Sequence, residues 1–354
     1  MNIMKNTKYW PPEQAEAGLK EAAALIASGG VVAFPTETVY GLGGDARSEA
    51  AVREIFAAKG RPSDNPLIVH AADAEGAAAL AAGVTALERR LMEAFWPGPL
   101  TLVLPVRPGA VCAAVTAGLD TVAVRVPGHD LARRLIAAAG CPIAAPSANR
   151  SGRPSPTMAS HVLGDLSGRI DGVLDGGETG VGLESTVVRV LGGDIHVLRP
   201  GGVTAEQLRR AAGPSAAVVS AGGAGDEVGA EAPRSPGVKY THYAPQGEMV
   251  VVTGEPAPMR AAVQAAADEA RRGGRRVGIV ACAEHAGGYR ADAVLACGSR
   301  AEPETAARRL YAALRECDAR GLDFIVAEGY PEDGIGAALM NRLRKAAGGR
   351  VLSV

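Results

Sequence analysis

The sequence is poor in aromatic side chains and has no long hydrophobic run. Phe, Trp and Tyr together make up only 4% of its 354 residues, so the core must consist mainly of Ala, Val, Leu and Ile. No apolar stretch reaches the roughly 18 residues that a membrane-spanning helix needs, and the first residues lack the apolar core of a signal peptide. We therefore expect a cytoplasmic protein that does not cross a membrane.

Cysteine is also scarce. The five cysteines are widely spaced, their number is odd, and no Cys-x-x-Cys pair occurs. This usage is typical of reduced structural thiols in a cytosolic protein rather than of a disulfide framework. We identify no cysteine near a histidine at the spacing of zinc ligands either, and we therefore expect no metal site.

Several catalytic motifs with strong sequence signatures are missing too. There is no G-x-x-x-x-G-K-[ST] phosphate loop, no G-x-S-x-G elbow and no His-Glu-x-x-His pair, and the six histidines are scattered. These absences exclude a phosphate-loop nucleotide site and leave no evident covalent nucleophile. The formal net charge of −1 argues against a protein that coats nucleic acid.

The pattern that the sequence does show is α/β, in two parts. The chain is long enough for two buried cores. Strand and helix signals alternate up to about residue 212, the composition shifts to Gly, Ala, Pro and Ser over residues 213–247, and the alternation resumes over residues 248–354. The second alternation predicts a small α/β domain with a mainly parallel sheet.

One stretch, from Val31 to His70, concentrates polar residues between two apolar strands. The first predicted strand ends at Pro35. Four polar side chains follow it: Thr36, Glu37, Thr38 and Tyr40. Three glycines come next, and we expect them to let the backbone turn tightly or approach a ligand closely: Gly41, Gly43 and Gly44.

A short helix is predicted after these glycines, ending near Gly60 in a left-handed cap. Lys59 and Arg61 flank that end. A hydroxyl-rich turn together with two cations suits a small anionic ligand, because hydroxyls orient phosphate or carboxylate and cations neutralise it. An ordinary loop with solvated surface charges has the same residue types, so local chemistry alone leaves both interpretations open.

Seven blocks, in order along the chain, resemble the YrdC-like family, whose enzymes include threonylcarbamoyl-AMP synthase. The blocks are PTETVYGLG, KGRPSDNPLIVH, FWPGPLTLVL, TVAVRVP, PIAAPSANRSGRPSPT, ESTVV and LRPG. They fall within a region that extends from about Glu13 to Ala212. The linker motif SPGVKYTHYAP and the second domain resemble the long two-domain form of this family.

The resemblance implies both a fold and a reaction. The fold would be a YrdC-like twisted open α/β sheet with a large cavity over residues 1–212, a linker over 213–247, and a smaller Rossmann-like α/β domain over 248–354. The reaction would condense L-threonine, bicarbonate or CO2, and ATP with Mg2+ to L-threonylcarbamoyl-adenylate and pyrophosphate. A separate transferase complex would use the product to modify the adenosine beside the tRNA anticodon, and direct tRNA contact stays open.

The resemblance also implies two groups of site residues. The threonine site would use Thr38, His70, Arg125, Ala145 and Ser185. The ATP site would use Lys59, Arg61, Asn65, Thr121, Ser147, Ser155, Arg199 and Tyr243. Lys59 and Arg61 would be the catalytic pair, neutralising charge as pyrophosphate leaves. Tyr243 would either close over the site as a lid or belong to a turn that packs the two domains together.

Two other functions remain open. A related domain makes a carbamoyl-adenylate in hydrogenase maturation, but those proteins carry acylphosphatase and Cys-x-x-Cys zinc elements that this sequence lacks. The non-enzymatic alternative is a YrdC-like RNA-binding module without adenylate synthesis. The near-neutral charge weighs against it, since RNA binding of that kind depends on neutralising phosphates.

Overall fold

The structure, a computed structural model, describes residues 4–214, 216–220 and 243–354. The chain divides into two compact units. The first comprises Met1–Ser151, Met158–Gly180 and Glu184–Lys239, and the second comprises Gly152–Thr157, Val181–Leu183 and Tyr240–Val354. Two short segments that precede residue 212 therefore belong to the second unit. The domain boundaries at residues 212 and 247 stay a prediction, and residues 235–242 of SPGVKYTHYAP lie outside the described residues.

Among the described residues, the first unit is built on an eleven-stranded mixed sheet. Its strands are β1 Lys8–Trp10, β2 Val32–Phe34, β3 Gly41–Asp45, β4 Ile68–His70, β5 Leu100–Pro105, β6 Thr121–Arg125, β7 Ile143–Ala144, β8 Gly172–Leu174, β9 Thr186–Leu191, β10 Asp194–Arg199 and β11 Val218–Ser220. Their order is β1-β8-β2-β3-β7-β4-β6-β5-β9-β10-β11. The sheet is open, and the prediction of an open α/β sheet is confirmed.

Helices cover this sheet with their apolar faces. They are α1 Ala15–Ala27, α2 Glu49–Lys59, α3 Ala74–Ala78, α4 Ala86–Phe95, α5 Ala113–Thr116, α6 Asp130–Ala139, α7 Ala159–Leu166 and α8 Ala205–Ala212, with a 3-10 turn at Pro12–Gln14. In α2 the buried residues include Val52, Ile55 and Phe56, which are spaced to lie on one helix face. Gly60 ends α2 with a φ of 63°, so the predicted left-handed cap is confirmed.

The three glycines after the polar turn lie in a strand, not in a turn. β3 pairs antiparallel with β2, and its backbone is extended. A Cβ added at Gly43 would lie 2.6 Å from Ile143 Cγ2 and 2.7 Å from Phe34 Cε1. The expectation of a tight turn is wrong here, because these glycines give room for neighbouring side chains to pack across the strand.

The second unit has a five-stranded sheet among its described residues, and every pairing in it is parallel. Its elements are β12 Glu248–Thr253, α9 Pro256–Arg272, β13 Val277–Ala281, α10 Ala283–Ala286, β14 Ala293–Ala296, α11 Pro303–Ala319, β15 Phe324–Glu328, α12 Gly336–Ala346 and β16 Val351–Ser353. The strand order is β14-β13-β15-β12-β16. The predicted smaller α/β domain with a parallel sheet is confirmed.

The sequence prediction failed mainly at short helices and strands. It missed the helices α3, α5, α7 and α10 and the strands β1, β11, β14 and β16, in addition to β3, where it expected a turn. β11 lies in the stretch predicted as linker, where its three residues pair with β10 in parallel. Strands this short at a sheet edge show no alternation that distinguishes them from loop. No helix in the described part of the chain is long and apolar enough to cross a membrane.

Candidate active site

Three neighbouring strands carry three of the predicted threonine-binding residues. His70 ends β4 and Arg125 ends β6, and the two are paired in the parallel register. Ala145 follows β7, and its N–H donates to the Ile68 carbonyl at 2.9 Å. The structure therefore places His70 and Arg125 side by side. The backbone of Ala145 lies opposite Ile68, two positions before His70 in β4.

The guanidinium of Arg125 contacts three other residues, two of which are neighbours in the turn after β2. The residue is only 3% exposed. Its Nη1 donates to Thr38 Oγ1 at 2.9 Å, and its Nε donates to the Gly98 carbonyl at 3.2 Å. Its Nη2 lies 2.6 Å from Glu37 Oε1. A buried guanidinium requires an anion nearby, and Glu37 supplies one.

The turn after β2 fixes the orientation of Thr38. Thr36 Oγ1 accepts from the N–H groups of Thr38 and Val39 and donates to the Val39 carbonyl at 2.7 Å. A hydroxyl has only one hydrogen, so the Thr38 hydroxyl donates to Thr36 Oγ1 at 2.8 Å. Thr38 Oγ1 is thereby left as the acceptor for Arg125. This relay holds Thr38 in one rotamer.

Ser185, which directly precedes β9, contacts Arg199 at the end of the neighbouring strand β10. Arg199 Nε and Nη2 donate to the Ser185 carbonyl at 3.1 and 3.0 Å, and Nη2 also lies 3.2 Å from Ser185 Oγ. The Ser185 hydroxyl is 2.7 Å from Thr101 Oγ1 on β5. A predicted threonine-site residue and a predicted ATP-site residue are thus in direct contact.

Lys59 anchors the turn that contains Ser147. It ends α2 and is 3% exposed, and its Nζ donates to the carbonyls of Ser147 and Asn149 at 2.5 Å each. Ser147 Oγ donates to Asn149 Oδ1 at 2.6 Å, and a bridge to Gly41 places the turn beside β3. Two of the three donors of the ammonium therefore bind backbone.

Arg61, Asn65 and Thr121 supply the remaining predicted ATP-site groups of the first unit. Arg61 Nη2 donates to the carbonyls of Asn65 and Pro66 at 3.4 and 3.2 Å. Asn65 is 1% exposed, and within the described residues neither polar atom of its side-chain amide has a hydrogen-bond partner. Buried amides are normally satisfied, so this one is suited to a ligand. Thr121 begins β6 and is buried.

Ser155 and Tyr243 belong to the second unit. Ser155 is fully buried. The Tyr243 ring lies 5.5 Å from the Tyr311 ring, and the Arg342 guanidinium is 5.3 Å from its centroid. Tyr243 is buried, with a positive φ of 68°. These contacts do not decide between its two predicted roles, and both stay predictions.

His70 is held as a neutral imidazole. Burial, reinforced by the positive charge of Arg125, lowers the pKa of His70 to about 3. Its ring meets Phe34 edge-on, with centroids 6.1 Å apart and an interplanar angle of 88°. Since the ring is uncharged near neutral pH, it can offer one hydrogen-bond donor and one acceptor but no cation.

Three buried cations give the region a distinctive electrostatic character. Lys59, Arg125 and Arg199 are each 3–5% exposed. Such side chains are almost never fully buried unless they are paired, and their charges favour an anionic ligand. The large cavity predicted for this domain stays a prediction.

Two family models match most of the chain. Residues 24–201 match the Sua5_yciO_yrdC family model, described as "Telomere recombination", and residues 203–348 match the model described as "Threonylcarbamoyl-AMP synthase, C-terminal domain". The chain is 52% identical over 334 residues to threonylcarbamoyl-AMP synthase from Bacillus subtilis, covering 94% of each protein. The chain belongs to the threonylcarbamoyl-AMP synthase family.

Further relatives of this family extend the match to the whole chain. The threonylcarbamoyl-AMP synthase from Pyrococcus abyssi is 45% identical, with 100% of this chain and 99% of the relative covered. The crystal structure of P. abyssi Sua5 complexed with L-threonine superposes with a TM-score of 0.90 at 44% identity, covering 98% of this chain and 99% of that one. The predictions of family, fold class and enzyme class are confirmed.

The site residues themselves stay predictions, and some contacting residues were not among them. Thr36, Gly98 and Thr101 touch the predicted residues. The only sequence signal of Gly98 and Thr101 is that they fall in the block FWPGPLTLVL, whereas Thr36 also belongs to the polar cluster after the first predicted strand. Glu37 was recognised as part of the polar cluster, but pairing with Arg125 was not foreseen because sequence spacing does not show which carboxylate a strand-end arginine meets.

Proposed function

We propose that this chain condenses L-threonine, bicarbonate or CO2, and ATP to L-threonylcarbamoyl-adenylate and pyrophosphate. The observation that carries the proposal is the buried Arg125, held by Thr38 at the strand end beside His70. Membership of the threonylcarbamoyl-AMP synthase family supports it, as does the L-threonine complex of the P. abyssi relative. The product would feed N6-threonylcarbamoyladenosine formation beside the tRNA anticodon through a separate transferase complex in the cytoplasm.

The proposed threonine subsite uses the groups around Arg125. The guanidinium binds the substrate carboxylate, which takes the position beside Nη2 that Glu37 Oε1 holds. A planar guanidinium suits this role because it can bind a carboxylate through two parallel hydrogen bonds. The hydroxyls of Thr38 and Ser185, the neutral ring of His70 and the backbone of Ala145 orient the amine and the side-chain hydroxyl.

The proposed nucleotide subsite uses cations and neutral polar groups. Lys59, Arg61 and Arg199 neutralise the phosphates, and Lys59 and Arg61 act on the charge that develops as pyrophosphate leaves. The remaining assigned residues are Asn65, Thr121, Ser147, Ser155 and Tyr243. None of these residues is a carboxylate, so Mg2+ arrives on the ATP phosphates and keeps water ligands rather than a protein cage.

The proposed chemistry follows from these charges. The threonine amine adds to CO2 and loses a proton to give a carbamate. A carbamate oxygen then bonds to the α-phosphorus of ATP, the bond from that phosphorus to the bridging oxygen breaks, and pyrophosphate leaves. The protein contributes proximity, positive charge and exclusion of water from a labile mixed anhydride.

Pyrophosphate release tests this function. The purified chain is given ATP and Mg2+, and threonine or bicarbonate is left out in turn. We expect release only with both, together with a new adenylate on chromatography. A folded protein that releases no pyrophosphate would overturn the proposal, and salt-dependent RNA binding by that protein would then favour the binding module.

Two variants separate the subsites. Arg125→Ala should raise KM for threonine by ~30-fold or more, because truncating one partner of a buried charge pair costs about 2–5 kcal/mol. Arg61→Ala should raise KM for ATP and also lower kcat, because Arg61 is assigned both to the bound phosphates and to the charge that develops as pyrophosphate leaves. Arg134→Ala is the matched control, since Arg134 is exposed and pairs only with exposed carboxylates within the described residues. Equal effects of both variants on both substrates would contradict the assignment.

A further inference from the structure

The second unit contains a group of ionisable side chains that the proposed reaction does not use. Cys282 directly follows β13, Glu328 is the last residue of β15, and His285 lies in α10. β13 and β15 are parallel neighbours, so their carboxyl ends bring Cys282 beside Glu328. The carboxyl edge of a parallel sheet is where open α/β domains bind ligands.

This position is also where the chain reverses its direction across the sheet. From β12 the chain passes to β13 and then to β14 at one edge, and it returns through β15 to β16 at the other edge. α9 shares an apolar cluster with β12, β13 and β15, whereas α11 packs on α12. Right-handed crossovers in opposite directions place these helices on opposite faces. The loops after β13 and β15 therefore diverge and form a crevice between the strands.

Three metal-binding atom types converge in this crevice. The Cys282 sulfur, the His285 imidazole and the Glu328 carboxylate all lie within 4.8 Å of one another. His285 Nδ1 is 2.8 Å from Glu328 Oε1. Cys282 and Glu328 are buried, and the His285 side chain is 13% exposed, so the cluster is accessible from the histidine side.

Glu328 has an unusual environment for a buried carboxylate. Its side chain is 0% exposed. Within the described residues its ion pairs include no lysine or arginine; its partners are the Cys282 N–H at 2.7 Å, His285 and the Tyr289 hydroxyl. A buried negative charge requires compensation by a cation or a proton, and a divalent cation would provide it.

We propose that Cys282, His285 and Glu328 bind a zinc-class divalent cation in the second unit. Thiolate, imidazole and carboxylate are the three ligand types that zinc accepts, at about 2.3, 2.0 and 2.1 Å. The thiolate argues against Mg2+ or Ca2+, which prefer oxygen ligands. Three protein ligands leave a fourth tetrahedral position for water or a donor atom of a small molecule.

The sequence already has part of this pattern. Cys282 and His285 form a Cys-x-x-His pair, and the third ligand comes from a strand 43 residues beyond His285. The expectation of no metal site rested on the absence of Cys-x-x-Cys and of a cysteine near a histidine at zinc-ligand spacing. The second point overlooked Cys282 and His285, and the proposal revises the expectation. The Tyr289 hydroxyl donates to Glu328. Tyr289 would not bind the metal itself, but its hydrogen bond would orient the ligating carboxylate.

Cobalt titration of the full chain, freed of metal by a chelator, tests the site directly. Co2+ bound by a thiolate gives a sulfur-to-metal charge-transfer band, which reports cysteine ligation independently of enzyme activity. We expect the band to saturate at about one Co2+ per chain and Zn2+ to displace it. The absence of the band would overturn the proposal and leave the cluster as a buried hydrogen-bond network.

Substitutions assign the ligands. Cys282→Ser should abolish the charge-transfer band, whereas the matched control Cys317→Ser should keep it, because Cys317 is a buried thiol of α11 outside the cluster. A band that survives Cys282→Ser, or is lost in a folded Cys317→Ser protein, contradicts the assignment. If Cys282→Ser does not fold, His285→Gln replaces it as the test, because His285 is partly exposed. His285→Gln should weaken Co2+ binding at least tenfold.

Tyr289→Phe distinguishes a metal site from a network that only needs its hydrogen bonds. The variant keeps all three ligands and removes the hydroxyl that contacts Glu328. We expect the charge-transfer band to remain and the Zn2+ affinity to fall by about 10–100-fold. Unchanged Zn2+ affinity would contradict the positioning role of Tyr289. None of these readouts depends on the proposed adenylate synthesis.

Discussion

The carboxylate of Glu37 and the guanidinium of Arg125 form a buried ion pair, with 2.6 Å between Oε1 and Nη2. Their side chains are 17% and 4% exposed. Glu37 therefore holds the place where we propose that the carboxylate of L-threonine binds. Substrate binding would then be an exchange of one carboxylate for another at the same guanidinium.

Glu37→Gln should increase the affinity for L-threonine by ~10-fold. The variant removes the competing charge of the ion pair from Arg125 while keeping the size of the side chain, and a tenfold gain corresponds to about 1.4 kcal/mol. Isothermal titration with threonine measures the effect. Glu16→Gln is the control, because Glu16 pairs with Arg134 at the exposed surface. Weaker binding by Glu37→Gln would mean that Glu37 holds the substrate amine instead.

Lys59→Met should lower the free energy of unfolding and raise KM for ATP. The substitution leaves the carbonyls of Ser147 and Asn149 without the ammonium, at about 1–3 kcal/mol for each buried acceptor left unpaired. Urea unfolding measures the first effect and KM for ATP the second. Lys20→Met, an exposed position in α1, should change neither. If Lys59→Met alters KM without lowering the free energy of unfolding, its contacts to the turn are not structural.

His70 should make the fold less stable in acid. An unfolded histidine binds a proton near pH 6.5, whereas folded His70 stays neutral until about pH 3. Between these values the unfolded state binds more protons, so the free energy of unfolding falls as pH falls through this window. His70→Gln should show a shallower fall. Urea unfolding across the window gives the difference between the two proteins, and parallel curves would show that His70 is protonated in the folded state.

Gly43→Ala should destabilise the first unit by about 1–3 kcal/mol, the usual cost of overpacking a core. The added methyl would meet Ile143 and the Phe34 ring at less than 3 Å, and Phe34 packs on His70. Thermal unfolding and KM for threonine should therefore both change. Gly83→Ala is the control, since a Cβ there has no atom within 4 Å among the described residues. Equal stability of the two variants would contradict the packing argument.

Sequence and structure agree best where a local pattern decides the outcome. The helix predicted after the polar cluster ends at Gly60 in the predicted left-handed cap, and the alternation over residues 248–354 forms the predicted parallel sheet. The glycines of β3 were misjudged because their role depends on Phe34 and Ile143, which reach them only in the folded sheet. The Glu37–Arg125 pair is equally non-local. In the cluster at Glu328 only the spacing of Cys282 and His285 is local, and no spacing along the chain indicates that Glu328 joins them.

Membership of the two units does not follow the order of the sequence. The chain passes between the units five times. A short segment of the second unit, Gly152–Thr157, is bound by residues far along the chain. Arg315 donates to the Pro154 carbonyl at 2.6 Å, and the Ala244 N–H donates to the Gly152 carbonyl at 2.9 Å. A fragment ending at residue 212 would keep this segment and lose these partners. Truncation is therefore an ambiguous way to learn what the second unit does, and substitutions within the intact chain are the sounder genetic tool.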